Sequence, residues 1–251
     1  MKRSQSKMFV LFVVAAITAL LLAACGAAPA PVQKVSEPIH SHEELHETTL
    51  NPAESISHVE VFDFVQTANK NKKIDPLVFQ QAVRKLWEDH VTWTRVYIIA
   101  ALADLPEADA AAQRLLQNQT DIGNAVKPFY GDEAGEQLTA LLEDHILIAV
   151  DLLAAAKAGD AAKFEDANER WYQNADDIAA FLNSANPKHW RSREMKSMMR
   201  DHLDLTLEEA TARLNEDWAG DVAAYDKVHD EILHMADMIS DGIIRQFPKS
   251  F

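Results

Sequence analysis

Residues 75–105 read DPLVFQQAVRKLWEDHVTWTRVYIIAALADL, and this stretch decides the fold class. Asp75 offers a carboxylate to the free N–H groups of a helix start, and Pro76 fits the first turn because it has no N–H to lose. The helix so opened is predicted to run to about Leu105, where Pro106-Glu107 starts another. Working outward, that second helix ends near Pro128 and Tyr130-Gly131. A third covers residues 133–158 and stops at Gly159, Asp160 caps a fourth that runs to Asn186-Pro187, a fifth spans 193–215, and a sixth runs from Trp218 to Gln246. A short additional helix is expected over residues 56–70. The chain has only seven glycines and abundant alanine, leucine, glutamate and lysine, and no alternating runs of branched residues bounded by hairpin turns. The expected fold is all-α: six main helices, arranged as three repeated antiparallel hairpins that form a bundle.

The repeat is carried by particular residues. Glu88-Asp89-His90 recurs as Glu143-Asp144-His145 and as Arg200-Asp201-His202, with the histidines 55 and 57 residues apart. The return helices carry Asn118-Gln119-Thr120-Asp121-Ile122, then Asn174-Ala175-Asp176-Asp177-Ile178, and more weakly His234-Met235-Ala236-Asp237-Met238. A period near 56 marks duplicated supersecondary units that bury their faces against one another. His90 lies 15 residues before the turn near Leu105 and Asp121 lies 16 after it, so the two sit level in an antiparallel pair. His145 and Asp177 are nearly level too; in the third unit Asp237 lies too far on and Asp230 is closer. A histidine–carboxylate pair across each hairpin is therefore expected.

Two readings of that pairing stand open. A histidine on an apolar face needs a partner for its ring N–H, and an aspartate supplies one. Alternatively His90, His145 and His202 gather with Asp121, Asp177 and Asp237 round a divalent metal such as Zn²⁺, Mn²⁺ or iron. The chain has neither the paired Glu-x-x-His motifs of di-iron bundles nor a His-Glu-x-x-His. Trp93, Arg95 and Trp171, with Trp87, Tyr97 and Tyr172 nearby, would line a ligand pocket in which Arg95 anchors an anion; core packing is the competing use. Met195, Met198, Met199, Met235 and Met238 read as core filling, and Arg191, Arg193, Lys196 and Arg200 as a solvated basic face.

The N-terminus sets the expected compartment. Lys2, Arg3 and Lys7 precede an apolar run from Met8 to Leu22, which ends at Ala23-Ala24-Cys25-Gly26. This order is that of a secretory signal, and its similarity to a lipobox makes Cys25 the acceptor of a covalent lipid. Residues 1–24 are then a lipoprotein signal peptide, 25–57 a lipid-anchored flexible tether, and 58–251 the helical-hairpin repeat domain. Cys25 is the only cysteine, so no intramolecular disulfide and no thiol catalysis are expected. His42 and His46 in the tether share a face if that segment is helical, and would hold Zn²⁺ or Cu²⁺ loosely.

A net charge of −15, which grows more negative once the basic signal is removed, disfavours nucleic acid. Phosphate-binding glycine loops and a Gly-x-Ser-x-Gly elbow are missing from the sequence. The leading expectation is a non-catalytic, extracytoplasmic module, held to the membrane by its lipid and binding an unknown protein or small molecule. A metal-binding helical protein comes second, and an enzyme third.

Several motifs together carry a resemblance: Leu86-Trp87, His90-Val91-Thr92-Trp93-Thr94-Arg95, Pro128-Phe129-Tyr130-Gly131, Arg170-Trp171-Tyr172-Gln173-Asn174-Ala175-Asp176 and His202-Leu203-Asp204-Leu205-Thr206. Over about residues 80–248 the chain resembles a family of helical proteins from spore-forming and related bacteria, some of which carry the label acetylglutamate kinase. That kinase fold is an α/β sandwich with glycine-rich phosphate loops, and the sequence offers neither strands nor such loops. The resemblance implies a helical fold and brings no catalytic residue with it.

Overall fold

Asp75 accepts from the N–H groups of Leu77 and Val78 at 2.8 and 3.2 Å, and Pro76 begins the first helix behind that cap. The computed structural model describes residues 73–251. They form six α-helices and, among the described residues, no strand: α1 (Pro76–Leu102), α2 (Ala108–Tyr130), α3 (Asp132–Ala158), α4 (Ala161–Ala185), α5 (Ser192–Leu214) and α6 (Trp218–Gln246). The expected helix at 56–70 lies outside the described residues.

Each helix packs against the next in sequence, and α1 packs against α6, so the bundle closes into a ring. Short connections make successive helices antiparallel. α1, α3 and α5 all end in the same way. Asp104, Gly159 and Glu216 adopt left-handed φ of 54°, 67° and 57°. The next N–H then reaches back five residues: Leu105 to Ala100, Asp160 to Ala155, and Asp217 to Ala212. This bond ties down carbonyls that a helix end would leave free. Glycine is the residue that adopts such a φ without strain, which is why only Gly159 announced its turn.

Close packing is purchased by small residues where α2 crosses α3. A Cβ at Gly123 would fall 2.6 Å from the Gly135 carbonyl oxygen, and one at Gly135 would fall 2.7 Å from that of Gly123. The main core draws on all six helices, with Phe79, Trp87, Phe164, Leu203 and Met235 among its buried members. Trp190, 1% exposed between α4 and α5, closes one end; its Nε1 donates to the Met238 carbonyl at 3.3 Å. Met195, Met198, Met199 and Met235 are buried, as core-filling methionines should be. A second, smaller cluster joins Ile98, Leu153 and Ala210 of α1, α3 and α5. With these helices carrying the inward-facing residues, the middle of the bundle is where α1, α3 and α5 face one another.

Candidate functional site

That middle sets three histidine rings among apolar side chains such as Ile98, Leu115, Ile146 and Leu152. His90, His145 and His202, near the midpoints of α1, α3 and α5, are 3%, 3% and 4% exposed. Their rings gather: His90 and His202 have centroids 5.7 Å apart, and His145 and His202 6.4 Å apart. Every ring is held from outside by the following helix, through Nδ1. Gln119 Nε2 reaches His90 at 3.3 Å, Asn174 Oδ1 meets His145 at 2.9 Å, and Glu231 Oε2 meets His202 at 2.9 Å. The partner lies 29 residues beyond its histidine in all three cases.

These partners fix the tautomers. The Asn174 Nδ2 donates to the Leu141 carbonyl at 2.9 Å, which leaves Oδ1 to accept the Nδ1–H of His145. The Glu231 carboxylate accepts the Nδ1–H of His202. His90 is the reverse case. Gln119 Nε2, oriented by its bond to the Leu115 carbonyl at 2.7 Å, can only donate, so His90 Nδ1 accepts and the ring proton sits on Nε2. With every Nδ1 engaged, Nε2 is the nitrogen each ring has left for the centre.

All three rings border a cavity of about 30 Å³, together with Thr94, Trp171 and Thr206. The two threonine hydroxyls are used within their own helices, donating to the carbonyls of His90 and His202. Two buried polar atoms at the site have no partner: Trp171 Nε1 and Gln119 Oε1. Burial, reinforced by the neighbouring histidines, holds His90 well below the usual imidazole range. Burial chiefly, and then the His202 charge, lowers His145 to about 3. Both rings are therefore neutral at physiological pH.

The expected histidine–aspartate pairs are not what forms. Asp121 is bound by Gln117 at 3.1 Å, Asp177 by Gln173 at 2.9 Å, and Asp237 by Arg84 at 2.6 Å, all on exposed faces. Spacing places Asp121 and Asp177 near the level of their histidines and Asp237 too far on, but it does not assign the face. Asp121 lies two residues past Gln119, about 200° further round the helix, and so points away from the ring it was matched to. Asp230 likewise gives way to its neighbour Glu231. Among the described residues, no group of three or more His, Cys, Asp or Glu is placed so that it could hold a metal ion as it stands.

Nor do Trp93, Arg95 and Trp171 share a pocket. Residues 93 and 95 project from opposite sides of α1. The Trp93 ring lies under the Arg114 guanidinium, while Trp171 stacks beside His145 with centroids 5.2 Å apart. Arg95 instead joins a charged cluster that sequence reasoning missed. It donates to Glu209 at 2.6 Å and to Asp221 at 2.9 Å, Arg213 adds a bond to Asp221 at 3.2 Å, and Tyr225 lies under Arg95 at 4.5 Å. Glu209 and Asp221 are 1% and 2% exposed. Burial pushes the Glu209 carboxyl up to about 7 against the pull of Arg95. On the surface, Lys196 and Arg200 of the basic cluster both pair with Asp176 of the neighbouring α4.

Cys25, His42 and His46 lie outside the described residues. Among the described residues, no helix is long and apolar enough to cross a membrane. Fold and site together define an all-helical bundle with a three-histidine centre. Compared with known proteins, the chain matches no family model, no curated protein and no solved structure.

Proposed function

We propose that this chain is a non-catalytic, extracytoplasmic binding module, lipid-anchored to the cell membrane through Cys25, built from three copies of one helical hairpin and taking its ligand where the copies meet. The convergence of His90, His145 and His202 on one cavity carries this reading.

The copies are supported by spacings that agree. The left-handed turn residues Asp104, Gly159 and Glu216 each follow their histidine by 14 positions. Ile98, Leu153 and Ala210 each follow by 8 and meet in one cluster. Duplication accounts for these coincidences together, since each unit buries its face against the other two. Three mutually facing helices then place equivalent residues round one axis, where a ligand touches every copy at once.

An acidic chain suits a cationic or neutral ligand rather than nucleic acid. Membership of the helical family of spore-forming bacteria rests on the motifs quoted above. The kinase label borne by some of its members meets a physical obstacle, because residues 73–251 contain no strand from which to build an α/β sandwich.

Two measurements test the reading. The chain should fractionate with membranes, and Cys25→Ser should release it. Native mass spectrometry of protein purified from the envelope should show a bound small species that the combined His90→Ala, His145→Ala and His202→Ala variant loses. A wild-type chain that is soluble and carries nothing would sink the proposal.

A further inference from the structure

We propose that the three-histidine cavity is a binding site for one divalent late first-row cation of the zinc class, ligated by Nε2 of His90, His145 and His202, with a water in the fourth position. The inference deepens the binding-module reading above and rests on it.

Four observations carry it. First, the ring nitrogens facing the second helices are occupied, so all three rings have the same nitrogen, Nε2, left for the shared space. Second, the Nδ1–H groups of His145 and His202 rest on oxygen acceptors. This is the arrangement that orients a metal-binding imidazole and raises its basicity, the Glu231 carboxylate being the stronger case. Third, Trp171 lines the cavity with a buried Nε1–H that has no acceptor, so the site is incomplete as a purely protein structure. A metal-bound water supplies that acceptor. Fourth, Gln119 Oε1, beside His90, is buried and unpartnered. To ligate through Nε2, His90 must carry its proton on Nδ1 instead; rotation of the Gln119 amide, which gives up its donation to the Leu115 carbonyl, brings Oε1 round to receive it.

The donor set selects the ion. Three neutral imidazoles suit zinc, cobalt, nickel and copper(II) and are poor partners for magnesium or calcium, which prefer oxygen. Rings on three separate helices border about 30 Å³ of free space. Loading draws them inward into that space until each nitrogen stands roughly 2.0–2.1 Å from the ion. Without an ion, the same space holds roughly one water, which would meet the histidine and tryptophan groups by hydrogen bonds alone. That is the competing occupant.

The test uses the full chain carrying Cys25→Ser, titrated with Co²⁺ alone and then displaced with Zn²⁺. The expected result is one equivalent bound, with the intense visible bands of four-coordinate cobalt, bleached by zinc. Glu231→Gln should weaken affinity about 10–100-fold while circular dichroism stays helical. The His145→Ala and His202→Ala double variant should lose the bands, and His42→Ala with His46→Ala should keep them. Absence of cobalt binding by the folded chain overturns the metal site. So do bands that survive the His145/His202 double variant, or bands that vanish only with the His42/His46 pair. Such a failure leaves the binding-module reading standing if the envelope-purified protein carries another species in this cavity; an empty cavity and no metal would remove both.

Discussion

The histidine centre and the Arg95 cluster share helices α1 and α5, yet they bury polar groups in opposite ways. At the centre, burial keeps His90 and His145 neutral, and amides or one carboxylate satisfy a single nitrogen on each of the three rings. In the cluster, Glu209 and Asp221 stay against two arginines, and both carboxylates are almost wholly buried. A neutral ring buried with one satisfied nitrogen costs little and leaves a second nitrogen for a ligand. A buried ion pair consumes its own donors and acceptors and leaves nothing to offer. The contrast separates a region built to receive something from one built to hold three helix ends together.

Breaking the charged region should have the largest effect. Arg95→Ala strands Glu209 and leaves Asp221 with Arg213 alone. Removing one partner of a buried pair costs about 3–5 kcal/mol, and denaturant unfolding should show a loss of that size. If the loss is under about 1 kcal/mol, the cluster is hydrated and the contrast fails. The matching cut at the histidine centre is Asn174→Ala, which orphans the His145 Nδ1–H. It is a neutral group, so a smaller loss of about 1–3 kcal/mol is expected by the same measurement.

Acid sharpens the comparison because the two regions titrate with opposite signs. His145 falls to about 3 in the folded chain from an ordinary 6.5, so below 6.5 the unfolded chain takes up a proton that the folded one refuses. Its stabilising contribution is full above 6.5 and is lost as pH falls towards 3, by about 2 kcal/mol at pH 5. His90, also depressed, acts in the same direction. Glu209 is raised from 4.5 to about 7, so its contribution is present below 4.5 and lost as pH rises through 7. Between pH 7 and 5 the two regions therefore offset each other. Glu209→Gln removes one side, and its stability should fall more steeply with acid than that of the wild type, by about 2 kcal/mol over that interval. Parallel curves for the two proteins would show that Glu209 is not raised.

Why the sequence disclosed one region and not the other follows from what each requires. The histidine recurrence was legible because three copies of one ring type, 55 and 57 residues apart, stand out. Helix ends were legible wherever proline, an aspartate cap or Gly159 marked them. Asp104 and Glu216 make the same left-handed turn as Gly159 but are residues that do not advertise it, so the recurrence of the turns emerged only from the backbone. The partners stayed hidden because Gln119, Asn174 and Glu231 differ in type while sharing a position. The residues that do share a type, Asp121, Asp177 and Asp237, lie on exposed faces instead. The Arg95 cluster spans residues up to 126 positions apart, from α1 to α6, and no local pattern links them.

The smallest effect should come from Arg84→Ala, and it bears on the face that the histidines do not use. Arg84 pairs with Asp237 across α1 and α6, and the two side chains are 47% and 37% exposed. The bond to Arg84 holds the Asp237 carboxyl below its ordinary range. Solvent and salt screen such a pair, and holding two long side chains in one geometry costs entropy, so its loss is worth roughly 0–1 kcal/mol. Thermal unfolding should barely move, and whatever shift there is should shrink at high salt. Because Asp237 stands on an exposed face and its partner is not a histidine, cobalt stoichiometry at the centre should be unchanged in this variant. A loss of metal on cutting this pair would mean that Asp237 reaches the site after all, and would return the carboxylate to the ligand set from which the geometry removes it.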